Sequence, residues 1–178
     1  VNPSSVNKWI KDGRIPAFRT PGGHRRIRAS DLVSFLNKHS MPIPQKLIEA
    51  GKRRLLVVDD DSKQLSALQR LLKPYDSRLS LCLVNNGIDA LVQVGSFKPH
   101  LILLDVYMDE IDGIEVCRRL KENPDTSHIK VVIATGQMSD EIKSQAQEVG
   151  AALSLSKPVD INHILAELGM EGVQAASA

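Results

Sequence analysis

Five short apolar runs divide the last two-thirds of this chain, at Leu55–Val58, Leu79–Val84, Leu101–Leu104, Val131–Ala134 and Ala152–Leu155. A run without a solvent face fits a parallel-sheet strand covered on both sides better than a half-exposed strand. Between the runs lie segments of helical period. Leu65, Leu68, Leu71 and Leu72 form one stripe, Ile114, Cys117 and Leu120 a second, and Ile161, Ile164, Leu165 and Leu168 a third. Gly87–Ser96 and Ser139–Val149 complete the alternation. Five strand–helix units in succession predict an α/β domain with a five-stranded, doubly wound parallel sheet. In such a sheet, sites form beyond the carboxyl ends of the strands.

Those ends carry reactive groups. The first strand runs straight into Asp59, Asp60 and Asp61, the third ends at Asp105, the fourth at Thr135, and the fifth is followed by Lys157 and Pro158. Two like charges ~4 Å apart cost roughly 4 kcal/mol at an effective dielectric of about 20. Taken singly, each group has a plain structural reading. Asp61 or Ser62 can cap a helix, Thr135 can be a strand-end hydroxyl, and Lys157 a surface charge. Together they suit a hard divalent cation such as Mg²⁺, which sits among carboxylates and keeps room for a phosphate oxygen. Phosphoryl transfer needs a positioned nucleophile, a metal and a cation, and a carboxylate can be the nucleophile.

The "VVDD", "LLD" followed eight residues later by Gly113, "AT" and "KP" elements, with the five-unit order, resemble the receiver domain of two-component response regulators over residues 53–168. The resemblance implies a flavodoxin-like receiver fold with Asp105 as phosphoacceptor. It also implies Asp60 as direct Mg²⁺ ligand, Asp59 acting through water, and the Tyr107 main-chain carbonyl completing the set. Thr135 becomes the switch hydroxyl, Lys157 the phosphate-binding cation, and the Lys157–Pro158 bond cis. Two positions depart from the family pattern: Asp109 stands where a proline is usual, and Ser154 where an aromatic ring normally relays the switch.

Charge is unevenly distributed. Residues 1–54 carry 12 Lys/Arg against 3 Asp/Glu, a net of +9, whereas residues 55–178 carry 11 against 18, a net of −7. This suggests two domains with different partners. Residues 39–54 contain the PIP prolines and end in a basic cluster, so residues 41–52 are expected to be a linker, with Gln45–Ala50 as a short helix. The expected layout is a small domain at 1–40, the receiver at 53–168 and a tail at 169–178. No apolar run approaches the ~20 residues of a membrane span. Cys82 and Cys117 lie in apolar segments without metal-ligand spacing and read as core thiols of a reducing compartment. The chain starts at Val1 without methionine, so residues are expected to precede it.

In "VNPSSVNKWIKDG", Asn2 reads as N-cap, Pro3 as first turn and Gly13 as stop. Val6, Trp9 and Ile10 share one face, while Ser4, Lys8 and Lys11 take the other with Ser5 and Asn7 on its flanks. Two short strands about a Pro-Gly-Gly turn follow, with His24, Arg26 and Arg28 on one side and Arg25 near the tip. A second helix, capped by Ser30, packs Leu32, Phe35 and Leu36. These residues suit double-stranded DNA, the helix in the major groove and the arginines on phosphates. They equally suit a solvated basic surface around a small core. The segment also resembles the winged helix-turn-helix of excisionases and MerR-type regulators, through G-x-I-P and GGHRR. That implies a recognition helix in Ser4–Lys11 and a wing at Pro21–Arg28. The family has one more helix just before this one.

The resulting expectation is a cytoplasmic response regulator, not an enzyme in the ordinary sense. A histidine kinase or phosphotransfer protein would phosphorylate Asp105 in a Mg-dependent reaction, altering DNA binding through the face formed by the last two helices and the strand between them. A homodimer through the receiver is the expected assembly. The alternative is a protein-interaction adaptor that does not use DNA.

Overall fold

The computed structural model describes residues 2–44, 47 and 51–170. The chain divides into two compact units, Val1–Lys52 and Arg53–Ala178.

In the first unit, helix α1 spans Pro3–Lys11. Its start is set by Asn2, whose side-chain oxygen accepts the Ser4 N–H at 3.1 Å, and its end by Gly13 at φ +68°. Lys8 and Lys11 fall in the last turn, where the helix dipole favours cations. Strands β1 (Phe18–Arg19) and β2 (Arg25–Arg26) pair antiparallel, Phe18 opposite Arg26 and Arg19 opposite Arg25. Arg25 is thus a ladder residue; the tip is the turn that the Gly23 N–H closes onto the Thr20 carbonyl at 2.8 Å. Helix α2 spans Ala29–Lys38. Its N-cap is Arg28, whose carbonyl accepts the Asp31 and Leu32 N–H groups. Ser30 therefore lies inside the first turn and does not cap it. The core is small: Ile15, Phe35 and Leu36 are buried, with Trp9, Ile27 and Leu32 packed against them. The Trp9 and Phe35 rings lie 4.8 Å apart. The expected helix at Gln45–Ala50 lies outside the described residues apart from Leu47.

The second unit is the predicted sheet. Its strands are β3 (Arg53–Val58), β4 (Leu79–Val84), β5 (Leu101–Asp105), β6 (Lys130–Thr135) and β7 (Leu153–Ser156), all parallel, in the order β4-β3-β5-β6-β7. Helices α3 (Ser62–Leu72), α4 (Gly87–Phe97), α5 (Gly113–Glu122), α6 (Asp140–Glu148) and α7 (Ile161–Glu167) connect and follow them. Alternate residues of each strand face opposite sides. Leu56, Val58, Ile102, Leu104, Val131 and Ile133 join α4, α5 and α6 in one core. Leu55, Val57, Leu101, Leu103, Val132 and Ala134 join α3 and α7 in the other.

Two expectations change. β4 and β7 are the edge strands, so most of each is half-buried rather than enclosed. Leu71 is 53% exposed, because the stripe of α3 is narrower than four leucines. Among the described residues no helix is long and apolar enough to cross a membrane. Both cysteines are free thiols. Cys117 is buried on α5, and burial pushes its thiol up to about 11. At pH 8 only about one Cys117 in a thousand is then thiolate, the reactive form. Thiol titration with a disulfide reagent at pH 8 should leave Cys117 unmodified in the native protein and expose it on urea unfolding.

Candidate functional site

Because β3, β5, β6 and β7 run parallel and in register, their carboxyl ends deliver side chains to one edge. Val58 pairs with Leu104, Asp105 with Ala134, and Thr135 with Ser156. Asp59, Asp60, Asp105, Thr135 and Lys157 follow from those positions. One carboxylate oxygen from each of Asp59, Asp60 and Asp105 lies within 4.8 Å of the others.

The repulsion is answered in three ways. The Lys157 ammonium sits 2.6 Å from Asp59 Oδ2 and 2.8 Å from Asp105 Oδ2, bridging the two buried acids. The Asp61 N–H donates to Asp59 Oδ1 at 3.0 Å. Asp60 is exposed to solvent. Burial raises the Asp105 carboxyl above its usual range, with the Lys157 hydrogen bond and charge working against that rise. Burial also acts to lower the Lys157 ammonium, but its hydrogen bonds to Asp105 and Asp59 outweigh this, so it rises and stays charged.

The remaining site residues take distinct places. Thr135 is fully buried; its hydroxyl oxygen accepts the Gln137 N–H at 3.2 Å. The Thr135 carbonyl accepts the Lys157 N–H at 2.9 Å, which fixes where the lysine leaves the sheet. The Lys157–Pro158 bond is cis. Tyr107 is exposed, and among the described residues no donor takes up its main-chain carbonyl. Asp61 caps α3 by accepting the Lys63 N–H at 2.8 Å. Ser154 lies mid-strand opposite Ile133, and Asp109 is exposed in the loop between β5 and α5.

Gly113 has a physical reason that spacing alone did not reveal. Its N–H donates to the Val106 carbonyl at 2.9 Å, and a Cβ there would meet the Asp105 carbonyl oxygen at 2.0 Å. The backbone that presents Asp105 is thus packed directly on the start of α5. The sequence reading also missed an apolar cleft of about 150 Å³ beside the acids, lined by Leu68, Leu71, Pro158 and Val159 together with Asp105 and Lys157. Its signal was Leu71, a leucine of the α3 stripe that lines the cleft and stays exposed.

The residues expected to meet DNA are all in the first unit. Ser4, Asn7, Lys8 and Lys11 are exposed on α1, with Ser5 half-buried. His24, Arg25, Arg26 and Arg28 are exposed on or beside the hairpin. Among the described residues none of these cations is held in an ion pair.

The response regulator receiver domain family matches residues 55–169. This chain belongs to that family. A helix-turn-helix domain matches residues 1–40, so the receiver follows a helix-turn-helix unit. Response regulator PleD of Caulobacter vibrioides is 38% identical over 107 residues, covering 60% of this chain and 23% of that protein. Response regulator MprA of Mycobacterium avium is 35% identical over 115 residues, 65% of this chain and 49% of that one. The chain thus spans about a quarter to a half of these curated relatives. The signal receiver domain of a DNA binding response regulator protein (merR) from Colwellia psychrerythraea has a TM-score of 0.59 at 26% identity, covering 67% of this chain and 96% of that one.

Two substitutions test the receiver's site. Gly113→Ala should destabilise the receiver by about 1–3 kcal/mol through overpacking against Asp105, read as a lower urea midpoint. Lys157→Met leaves two buried carboxylates unpaired and should cost about 3 kcal/mol at pH 7, read as a lower urea midpoint.

Proposed function

We propose that the receiver accepts a phosphoryl group on Asp105 from a phosphohistidine of a histidine kinase or phosphotransfer protein, and that this modulates DNA binding by the helix-turn-helix unit. The observation that carries the reading is the convergence of Asp59, Asp60 and Asp105 on a lysine that touches two of them. A carboxylate oxygen of Asp105 attacks phosphorus as the P–N bond breaks, and the departing imidazole takes a proton from water. Lys157, already 2.8 Å from Asp105, can move onto the incoming phosphoryl oxygens. The Thr135 hydroxyl can donate to the same group.

The donor set fits Mg²⁺: three carboxylates and an untaken carbonyl, all hard oxygen ligands. Asp60, Asp105 and the Tyr107 carbonyl would hold the ion directly, with Asp59 behind it. When bound, it neutralises charge that develops on the phosphoryl oxygens. With Ser154 in place of an aromatic ring, the relay to the outer face must use other contacts.

For DNA, the exposed cations of α1 and the hairpin support phosphate contacts, with Ser4, Ser5 and Asn7 nearest the bases. The Colwellia neighbour's description as a DNA binding response regulator supports the same assignment. Action in the cytoplasm and a receiver-mediated homodimer complete the proposal.

Incubation with Mg²⁺ and acetyl phosphate should add one phosphate-sized mass to wild type and none to Asp105→Asn. Intact-mass measurement without any gain in wild type would reject the phosphoacceptor role.

A further inference from the structure

The receiver segregates charge between the two ends of its strands. Every strand runs the same way, so all amino ends lie on one edge and all carboxyl ends on the other. Six residues at about 3.3 Å each put the edges roughly 20 Å apart. That exceeds the ~8 Å screening length of physiological salt, so the charges at the two edges are largely screened from one another. The acids Asp59, Asp60 and Asp105 occupy the carboxyl edge.

A row of cations crosses the amino edge, although residues 55–178 are net −7 and the exposed acids Asp76 and Asp125 lie in the loops leading to it. Across it, in the order β4-β3-β5-β6, the strands begin at or just after Arg78, Arg53, His100 and Lys130. Backbone bonds stitch this row together. The Arg53 N–H donates to the Arg78 carbonyl at 2.8 Å, and the Lys130 N–H to the His100 carbonyl at 3.3 Å. The Arg54 N–H donates to His100 Nδ1 at 3.0 Å. The Arg54 guanidinium is pinned on the Lys98 carbonyl at 2.6 Å, and Lys130 is neutralised by Glu167 at 2.9 Å. Arg53, Arg78, Lys98 and His128 are exposed, and none has an ion-pair partner among the described residues. His100 senses the accumulated charge. Burial first, then Arg54, Arg53 and His128, lower its imidazole below the usual range.

We propose that this amino edge is a second DNA contact, in which Arg53, Arg78 and Lys98 neutralise phosphates of the duplex held by the helix-turn-helix unit. The inference rests on the DNA-binding reading above. Three strand spacings of about 4.8 Å make a row of about 14 Å, the axial length of roughly four phosphates of one strand. The tether from the basic unit enters the receiver at Arg53, in this row. Tethering raises the effective concentration of a weak second contact without any further affinity. Duplex DNA is the favoured occupant because the tether already joins this edge to a basic helix and hairpin.

The test is fluorescence anisotropy of the full chain on a labelled 30-base-pair duplex of arbitrary sequence from about 50 to 300 mM KCl, where each phosphate contact contributes about 0.9 to the salt slope. Arg53→Gln, Arg78→Gln and Lys98→Gln together should lower that slope by about 2 or more and weaken binding about tenfold at 50 mM. Arg53→Lys and Arg78→Lys together should keep it. Circular dichroism and the urea midpoint check that both variants fold. An unchanged slope in the glutamine variant overturns the inference and leaves the DNA-binding reading standing. A loss shared by the lysine variant also overturns it, because charge would not be the cause. If wild type binds no duplex while Arg25→Gln/Arg26→Gln behaves identically, both readings fall together.

Discussion

The bridge from Lys157 to Asp59 and Asp105 is the contact around which the receiver's carboxyl edge is organised. It joins the first, third and fifth strands of the sheet through side chains that are nearly buried. Without it, two carboxylates would face each other in a setting that favours neither charge. The sheet around the bridge explains why it can form. Parallel strands in register bring their ends level, and the Thr135 carbonyl holds the Lys157 backbone at the height of the acids. The same arrangement leaves Asp60 exposed at the surface, outside the lysine bridge. An acidic corner thus persists with a single cation, which lies 2.8 Å from the Asp105 carboxylate.

Rigidity at that corner comes from close backbone packing. The contact between Gly113 and the Asp105 carbonyl allows no side chain, and it sets where α5 begins. Gly87 is similarly tight against Ile111 and Val116, which holds the loop after Asp105 against the core. By contrast, among the described residues the helix-turn-helix unit has only three buried hydrophobic side chains and relies on a tilted Trp9–Phe35 contact. The receiver is the well-cored unit, and the small one presents charge on a thin scaffold.

Much of this was legible in residue order. Unbroken apolar runs located the strands because interior parallel strands have no wet face, and the acids, threonine and lysine were found because they end those runs. Legibility failed where a residue's neighbours come from elsewhere in the chain. LSLCLV resembles an interior strand but lies at an edge, and Leu71 continues a stripe whose partners stop short. Ser30 has a good capping side chain, yet the helix starts two residues sooner because the Arg28 backbone is already extended. The cationic amino edge was also missed. Arg53, Arg78, Lys98 and His128 are scattered through the sequence and meet only when the strands are placed side by side.

Sequence by itself determined the strand–helix order, the uneven charge of the two units and the identity of the groups at each strand end, since these depend on local period and composition. The tertiary structure decided which acids the lysine touches, why position 113 admits only glycine, and that positive and negative charge collect at opposite edges. Those are properties of distance between residues far apart in the chain. Strand order and register set such distances, and no local pattern encodes them.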